Sequence, residues 1–252
     1  MYQKNYKKKN EDIVFGFRPV IEALESGKVI DRVLLKNGLQ GELYREVFDV
    51  INKKKIPFQF VPLEKLNNVT RKNHQGIIAY ISPIEFSDID NVIPGLYENG
   101  KVPFILVLDQ ITDVRNFGSI VRTAECAGIH AIIIPLKNAA KINADAVKTS
   151  AGAIFNMNIC RTVSLKKTTD ILKKSGLQVV AASEKSTKKY SQIDYTIPTV
   201  IIMGSEEKGI SAELLELADE TVQIPVLGKT GSLNVSNAAA IISYEVVRQR
   251  ML

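Results

Sequence analysis

The sequence is poor in the residues that metal and redox chemistry use. Among 252 residues it holds two cysteines, Cys126 and Cys160, and two histidines, His74 and His130. The cysteines have no paired spacing, which argues against a disulfide scaffold or a zinc site and for a reducing compartment. Neither histidine stands in a metal-ligand pattern or a nucleophile context, so no metal is expected and a Ser-His-Asp hydrolase is excluded. No apolar run approaches the ~20 residues of a membrane span. Residues 1–10 are basic and polar without the apolar stretch of a secretory signal. A cytoplasmic protein is the expectation. No Gly-x-Gly-x-x-Gly opens the first βα turn, so a dinucleotide site is not expected. Gly228-Lys229-Thr230 matches the end of a phosphate-binding loop, but Gln223 stands where that motif needs its first glycine. An NTPase is therefore rejected.

What remains is an ordinary globular composition. Apolar content of 45% suffices for a core, and 24% charged residues is unremarkable for a folded chain. The length allows one large or two modest domains. A net charge of +6 and a pI near 9.1 lean toward a polyanionic partner. Basic clusters at 4–9, 53–55, 71–72, 166–167, 173–174 and 188–189 read, taken singly, as solvated surface.

Four segments are expected. Residues 1–12 form a basic tail, either disordered or making transient contact with RNA. Residues 13–83 form a small α/β unit, with a helix in 14–27 entered after Gly16, a second helix over 42–53, and strands over 29–35, 57–61 and 74–82. Residues 84–102 mix Pro, Asp, Asn and Gly and read as a linker with a short helix in its middle. In 103–252, short β-branched runs (104–108, 131–135, 178–182, 199–203, 221–224) alternate with helical segments. That alternation predicts a parallel sheet covered by helices on both faces, with ligands bound at the carboxyl ends of its strands.

Two loops at such ends carry glycine. One is 204–209, the other 227–236, and each leads into a helical segment. Glycine lets backbone approach a ligand and helix N-termini offer free N–H groups, so the pair suggests a site for a polar small molecule. Tight βα turns are the plain alternative. On the helix at 117–127, Phe117, Ile120, Val121, Ala124 and Ala127 share one face, and Asn116 reads as the N-cap. Arg122 points the opposite way, either as a solvated side chain or as a guanidinium that grips phosphate. The last helix, 236–249, is apolar around most of its circumference. It is expected to pack on its own sheet and on a second subunit, or else to lie deep in a monomer.

Three stretches carry a family resemblance. Asn116-Phe117-Gly118-Ser119-Ile120-Val121-Arg122, then Gly204-Ser205-Glu206 with Gly209, then Ile224-Pro225 with Ser232-Leu233-Asn234-Val235-Ser236 resemble the signature motifs of the SPOUT superfamily, SpoU–TrmH type. Residues 14–24 and His74-Gln75-Gly76-Ile77 resemble the N-terminal RNA-binding domain of its 23S rRNA guanosine 2′-O-methyltransferase branch. The resemblance implies an α/β fold whose C-terminal parallel-sheet domain is threaded into a trefoil knot, beside a smaller N-terminal α/β RNA-binding domain. It implies S-adenosyl-L-methionine as cofactor, held at Gly204, Gly209, Ile224 and Leu233. It implies a homodimer with the site at the subunit interface. The functional polar residues map to Asn116, Arg122, Glu206, Asn234 and Ser236. Arginine is too basic to take a proton at neutral pH. Arg122 is therefore expected to hold phosphate and polarise the ribose hydroxyl, while Glu206 or water takes the proton. RNA is the implied substrate, 23S rRNA before tRNA, and an inert RNA-binding assembly factor is the rival from another class. Glu207 departs from the family, which commonly has glycine there, as does the lack of an acidic residue in 228–231.

Overall fold

The computed structural model describes residues 13–251. The basic tail expected at 1–12 lies outside the described residues. The chain divides into two compact units after Pro83.

The first unit is a four-stranded sheet. Its strands are β1 (Ile13–Phe15), β2 (Ile30–Lys36), β3 (Phe58–Val61) and β4 (Ile77–Ile81), and its helices are α1 (Phe17–Glu25), α2 (Glu42–Lys53) and α3 (Leu63–Val69). The order is β1-β4-β2-β3, antiparallel except between β2 and β3. Alternate residues of the two central strands feed opposite faces. Val33, Leu35, Ile77 and Ala79 pack with α1 and α2, while Leu34, Ile78 and Tyr80 pack with Leu66 of α3. Both faces are covered, which is why residues 33–35 of β2 and all of β4 are apolar without a break.

The N-terminal signature residues build this unit. The helix expected within 14–27 enters after Gly16 as the sequence suggests, and β1 occupies the residues before it. At φ 85°, Gly16 adopts a conformation that side chains disfavour, and it offers no cap of its own. Gln75 caps the helix instead, its Oε1 accepting from Phe17 N at 3.0 Å. His74 is buried, its Nδ1 accepting from Gly76 N at 3.0 Å and its Nε2 lying 2.9 Å from Asn67 Oδ1.

The second unit is a six-stranded sheet of β5 (Phe104–Leu108), β6 (Ala131–Pro135), β7 (Asn158–Thr162), β8 (Gln178–Ala182), β9 (Thr199–Met203) and β10 (Glu220–Val222). The order is β10-β8-β9-β5-β6-β7 and every pairing is parallel, as expected from the β-branched runs. The helices are α4 (Ile89–Glu98), α5 (Val114–Cys126), α6 (Ala144–Thr149), α7 (Leu165–Lys174), α8 (Ala212–Leu215) and α9 (Val235–Arg250). Leu106, Ile132, Ile201 and their neighbours pack under α5, α6 and α9. Ile105, Ile133, Ile202 and theirs pack under α4, α7 and α8. Two-sided cover is what a parallel sheet requires.

The short helix expected in the middle of 84–102 is present as α4. Asp88 caps that helix through Asp90 N (3.1 Å), and Ile93 is buried in the core. Pro94 and Gly95 lie inside it, and burial of one apolar face outweighs their poor helix propensity. Strand β7 was not expected at all, because only Ile159 and Cys160 of its five residues are buried. Asn116 is not the N-cap of α5. Asp113 is, accepting from Arg115 N (2.9 Å) and Asn116 N (2.8 Å). The helix therefore starts earlier and frees the Asn116 side chain.

At the amino ends of the strands, His130 Nδ1 accepts from Phe104 N at 3.0 Å. Burial, and then the charges of Arg250 and Lys101, pull this imidazole below its ordinary pKa. The Arg250 guanidinium donates to the carbonyls of Val102, Pro103, Tyr195 and Ile197, which pins the end of α9 to the sheet. Among the described residues, no helix is long and apolar enough to cross a membrane.

Candidate active site

The site grows from the two central strands. Their carboxyl ends are in register, Leu108 beside Met203. Asp109 N donates to Met203 O at 2.8 Å, and the buried Asp109 carboxylate accepts from Ser211 N at 2.8 Å. The loops after β5 and β9 are thus held together. The second loop folds back on itself, Gly209 N donating to Ser205 O at 2.8 Å. A Cβ on Gly204 would sit 2.2 Å from the Gly209 carbonyl carbon, so only glycine permits this closure. Gly118 has a similar reason in α5: a Cβ there would meet Thr149 Oγ1 of α6 at 1.9 Å.

Four of the five expected polar residues meet at this edge. Glu206 Oε1 accepts from Asn116 Nδ2 (3.2 Å), Asn234 Nδ2 (2.5 Å) and Val235 N (3.1 Å). Asn234 Nδ2 also donates to Asn116 Oδ1 (3.0 Å). Its Oδ1 caps α9, accepting from Ser236 N (2.9 Å) and Ser236 Oγ (2.6 Å). Because Glu206 accepts on all three bonds, the orientation of both amides follows from the network. Arg122 is not brought into this cluster. It lies exposed on α5, outside the walls of the two cavities that flank the cluster.

The first cavity measures about 400 Å³ and includes all four expected cofactor positions, Gly204, Gly209, Ile224 and Leu233. Met203 and Ile242 give it apolar wall, while Ser183 and Gln223 give it polar edge. The second measures about 330 Å³ and is lined by Gln110, Asp113, Asn116, Asn138, Glu206 and Glu207, among others. The two share residues 205–208 and Val235, so the carboxylate cluster stands between them. Gln110 and Asn138 escaped the sequence reading. Both have positive φ, 56° and 59°, which is uncommon outside glycine. Nothing in their neighbourhood marked them beforehand. Cys160 can be set aside as a nucleophile, since burial, helped by Asp88, pushes its thiol up to about 12.

Two adjoining cavities joined by a polar bridge, with no activated nucleophile in the bridge, suit direct group transfer between two bound molecules. Comparison with known proteins gives this class its family. Residues 103–244 match the SpoU rRNA Methylase family, and residues 13–87 match the RNA 2′-O ribose methyltransferase substrate-binding family. YacO of Bacillus subtilis, assigned to the TrmH family of tRNA/rRNA methyltransferases, is 33% identical over 240 residues, covering 95% of this chain and 96% of that one. An AdoMet-bound rRNA methyltransferase from Sinorhizobium meliloti superposes with a TM-score of 0.60 at 26% identity, covering 94% of this chain and 86% of that one. A TrmH/SpoU tRNA modifying enzyme of A. aeolicus gives a TM-score of 0.54 at 30% identity, covering 64% of this chain and 84% of that one. The chain belongs to the SpoU rRNA Methylase family and is an RNA 2′-O-ribose methyltransferase.

Proposed function

We propose that the chain methylates the ribose 2′-hydroxyl of a guanosine in 23S rRNA, with S-adenosyl-L-methionine as donor. The observation that carries the proposal is the polar bridge of Asn116, Glu206 and Asn234 between two cavities. The 400 Å³ cavity suits the cofactor in size and in its mixture of apolar wall and polar edge. Bound there, the cofactor would supply a methyl group activated by a sulfonium leaving group. Alignment then furnishes much of the rate, and the chain's own residues supply it. Asn234 and Ser236 fix the start of α9, and Glu206 ties that start to α5 through Asn116. With Glu206 Oε1 committed to three donors, the hydroxyl proton passes to Oε2 or to water.

In Glu206→Gln the side-chain oxygen still accepts from the asparagines, but the second oxygen is gone. Turnover in single-turnover assays is expected to fall by about tenfold or more, with S-adenosylhomocysteine affinity held. Full turnover at every pH would leave Glu206 a positioning residue only.

Ribosomal RNA is favoured over tRNA because the rRNA enzyme covers nearly the whole chain, whereas the tRNA enzyme covers 64% of it. The names of the TrmH relatives allow tRNA as the second reading. The proposal includes a trefoil knot, a cytoplasmic location and a homodimer. For the dimer, α9 is less uniformly apolar than expected. Its outer row is Asn237, Ile241, Tyr244 and Arg248, with Tyr244 51% exposed. Pairing through that row would bring Arg122, on the adjacent α5, toward the subunit boundary, where it can grip phosphate. Sedimentation at twice the chain mass is expected, and a monomer at assay concentration would remove Arg122 from the mechanism.

A further inference from the structure

The second cavity has no occupant in the reaction as described so far. Its wall carries three carboxylates, Asp113, Glu206 and Glu207, and three amide side chains, Gln110, Asn116 and Asn138. Lys208 is the only cation in that wall. A cavity so lined repels phosphate and attracts neutral groups that present N–H donors. It also adjoins the bridge at which a ribose 2′-hydroxyl has to sit. A base is bonded to the ribose carbon next to the one bearing that hydroxyl, so a base swung out of its stack lies within reach of this cavity.

We propose that the 330 Å³ cavity receives the base of the target nucleotide, and that Glu207 together with Asp113 selects guanine by accepting from its N1–H and N2–H₂. The inference rests on the methyl-transfer function proposed above. The chemistry of the four bases singles out guanine. On the Watson–Crick edge of adenine and cytosine, the amino donor stands beside a ring-nitrogen acceptor, which a carboxylate repels. Uracil offers one N–H between two carbonyls. Guanine alone has two adjacent donors, which one carboxylate engages with both oxygens. The amides of Gln110 and Asn138 are suited to donate to guanine O6.

Each carboxylate has capacity to spare. Asp113 uses one oxygen, Oδ1, on the backbone of α5, which leaves Oδ2 for a ligand. Glu207 is exposed on the loop that closes over Gly204.

The test has two steps. Unmodified 23S rRNA and tRNA transcripts are incubated with the full-length protein and labelled S-adenosylmethionine, then digested to nucleosides. 2′-O-methylguanosine as the sole labelled product is expected. The mapped position is then rebuilt by ligation with inosine, which lacks the N2 amino group. The wild type should lose about tenfold or more in kcat/KM on the inosine substrate. Glu207→Gln and Asp113→Asn should start lower on guanosine and lose much less on the change to inosine. Asparagine caps a helix as well as aspartate does, so Asp113→Asn isolates the ligand role from the folding role. Label in another nucleoside, or variants that lose as much as the wild type on inosine, overturns the base assignment and leaves the methyl-transfer function standing. No label in any transcript overturns both.

Discussion

Glu206 is the residue on which the site turns. One carboxylate oxygen gathers donors from α5 and from the start of α9, and does so from a loop that Gly204 alone allows to close. Its importance was legible in the sequence through the motif resemblance, but its role was not. As a proton acceptor it needs only a free oxygen, whereas the structure also makes it a clamp. Asn116 shows the same limit. Its place before an apolar helical run reads as a cap, because Asn is a good cap residue. Asp113, three positions earlier, takes that task, and the Asn116 side chain turns to Glu206 instead. Gln110 and Asn138 were invisible beforehand because left-handed backbone at a non-glycine residue leaves no pattern in sequence.

Gly118 sets the approach of α5 to α6. Gly118→Ala is expected to cost about 1–3 kcal/mol through overpacking. Urea unfolding of the variant measures this, and an unchanged midpoint would mean the two helices part without penalty. At the other end of the sheet, His130 is pulled below its ordinary value of 6.5. A depressed folded pKa means that the unfolded chain binds the proton more readily. The contribution of this residue is thus complete above about pH 6.5 and is lost as pH falls from there toward the folded value. The melting temperature should therefore decline on acidification below about pH 6.5, and His130→Asn should flatten that part of the profile. Identical profiles for both proteins would contradict the assignment. The parallel sheet was readable from its β-branched runs. Helix α4 was legible only as a short helix, because Pro94 and Gly95 interrupt its pattern, and β7 was hidden by the polar residues that flank its two buried ones.

For the whole molecule, charge is divided unevenly. Residues 13–83 carry eleven Lys and Arg against seven Asp and Glu, while residues 84–252 carry eighteen of each. The excess that marks a polyanionic partner thus lies in the N-terminal part, where the substrate-binding family match also falls. On α2 and just beyond it, Lys53 and Lys55 are exposed, whereas Lys54 donates to the Leu24 carbonyl and serves the fold. Reversing Lys53 and Lys55 to Glu in the full chain should weaken RNA binding and lower the slope of log K against log salt by roughly 1 to 2. Cofactor affinity should be unchanged, and an unaltered salt slope would remove these lysines from the RNA contact.

The most direct measurement is transfer of labelled methyl from S-adenosylmethionine to unmodified 23S rRNA and, separately, to tRNA, by the wild type and by Arg122→Ala. Label on 23S rRNA that is lost in the variant is the expected result. Label on tRNA alone would move the substrate to the second reading. Failure to label either RNA, together with failure to bind S-adenosylhomocysteine saturably, would contradict the proposed function and leave an RNA-binding assembly factor in its place.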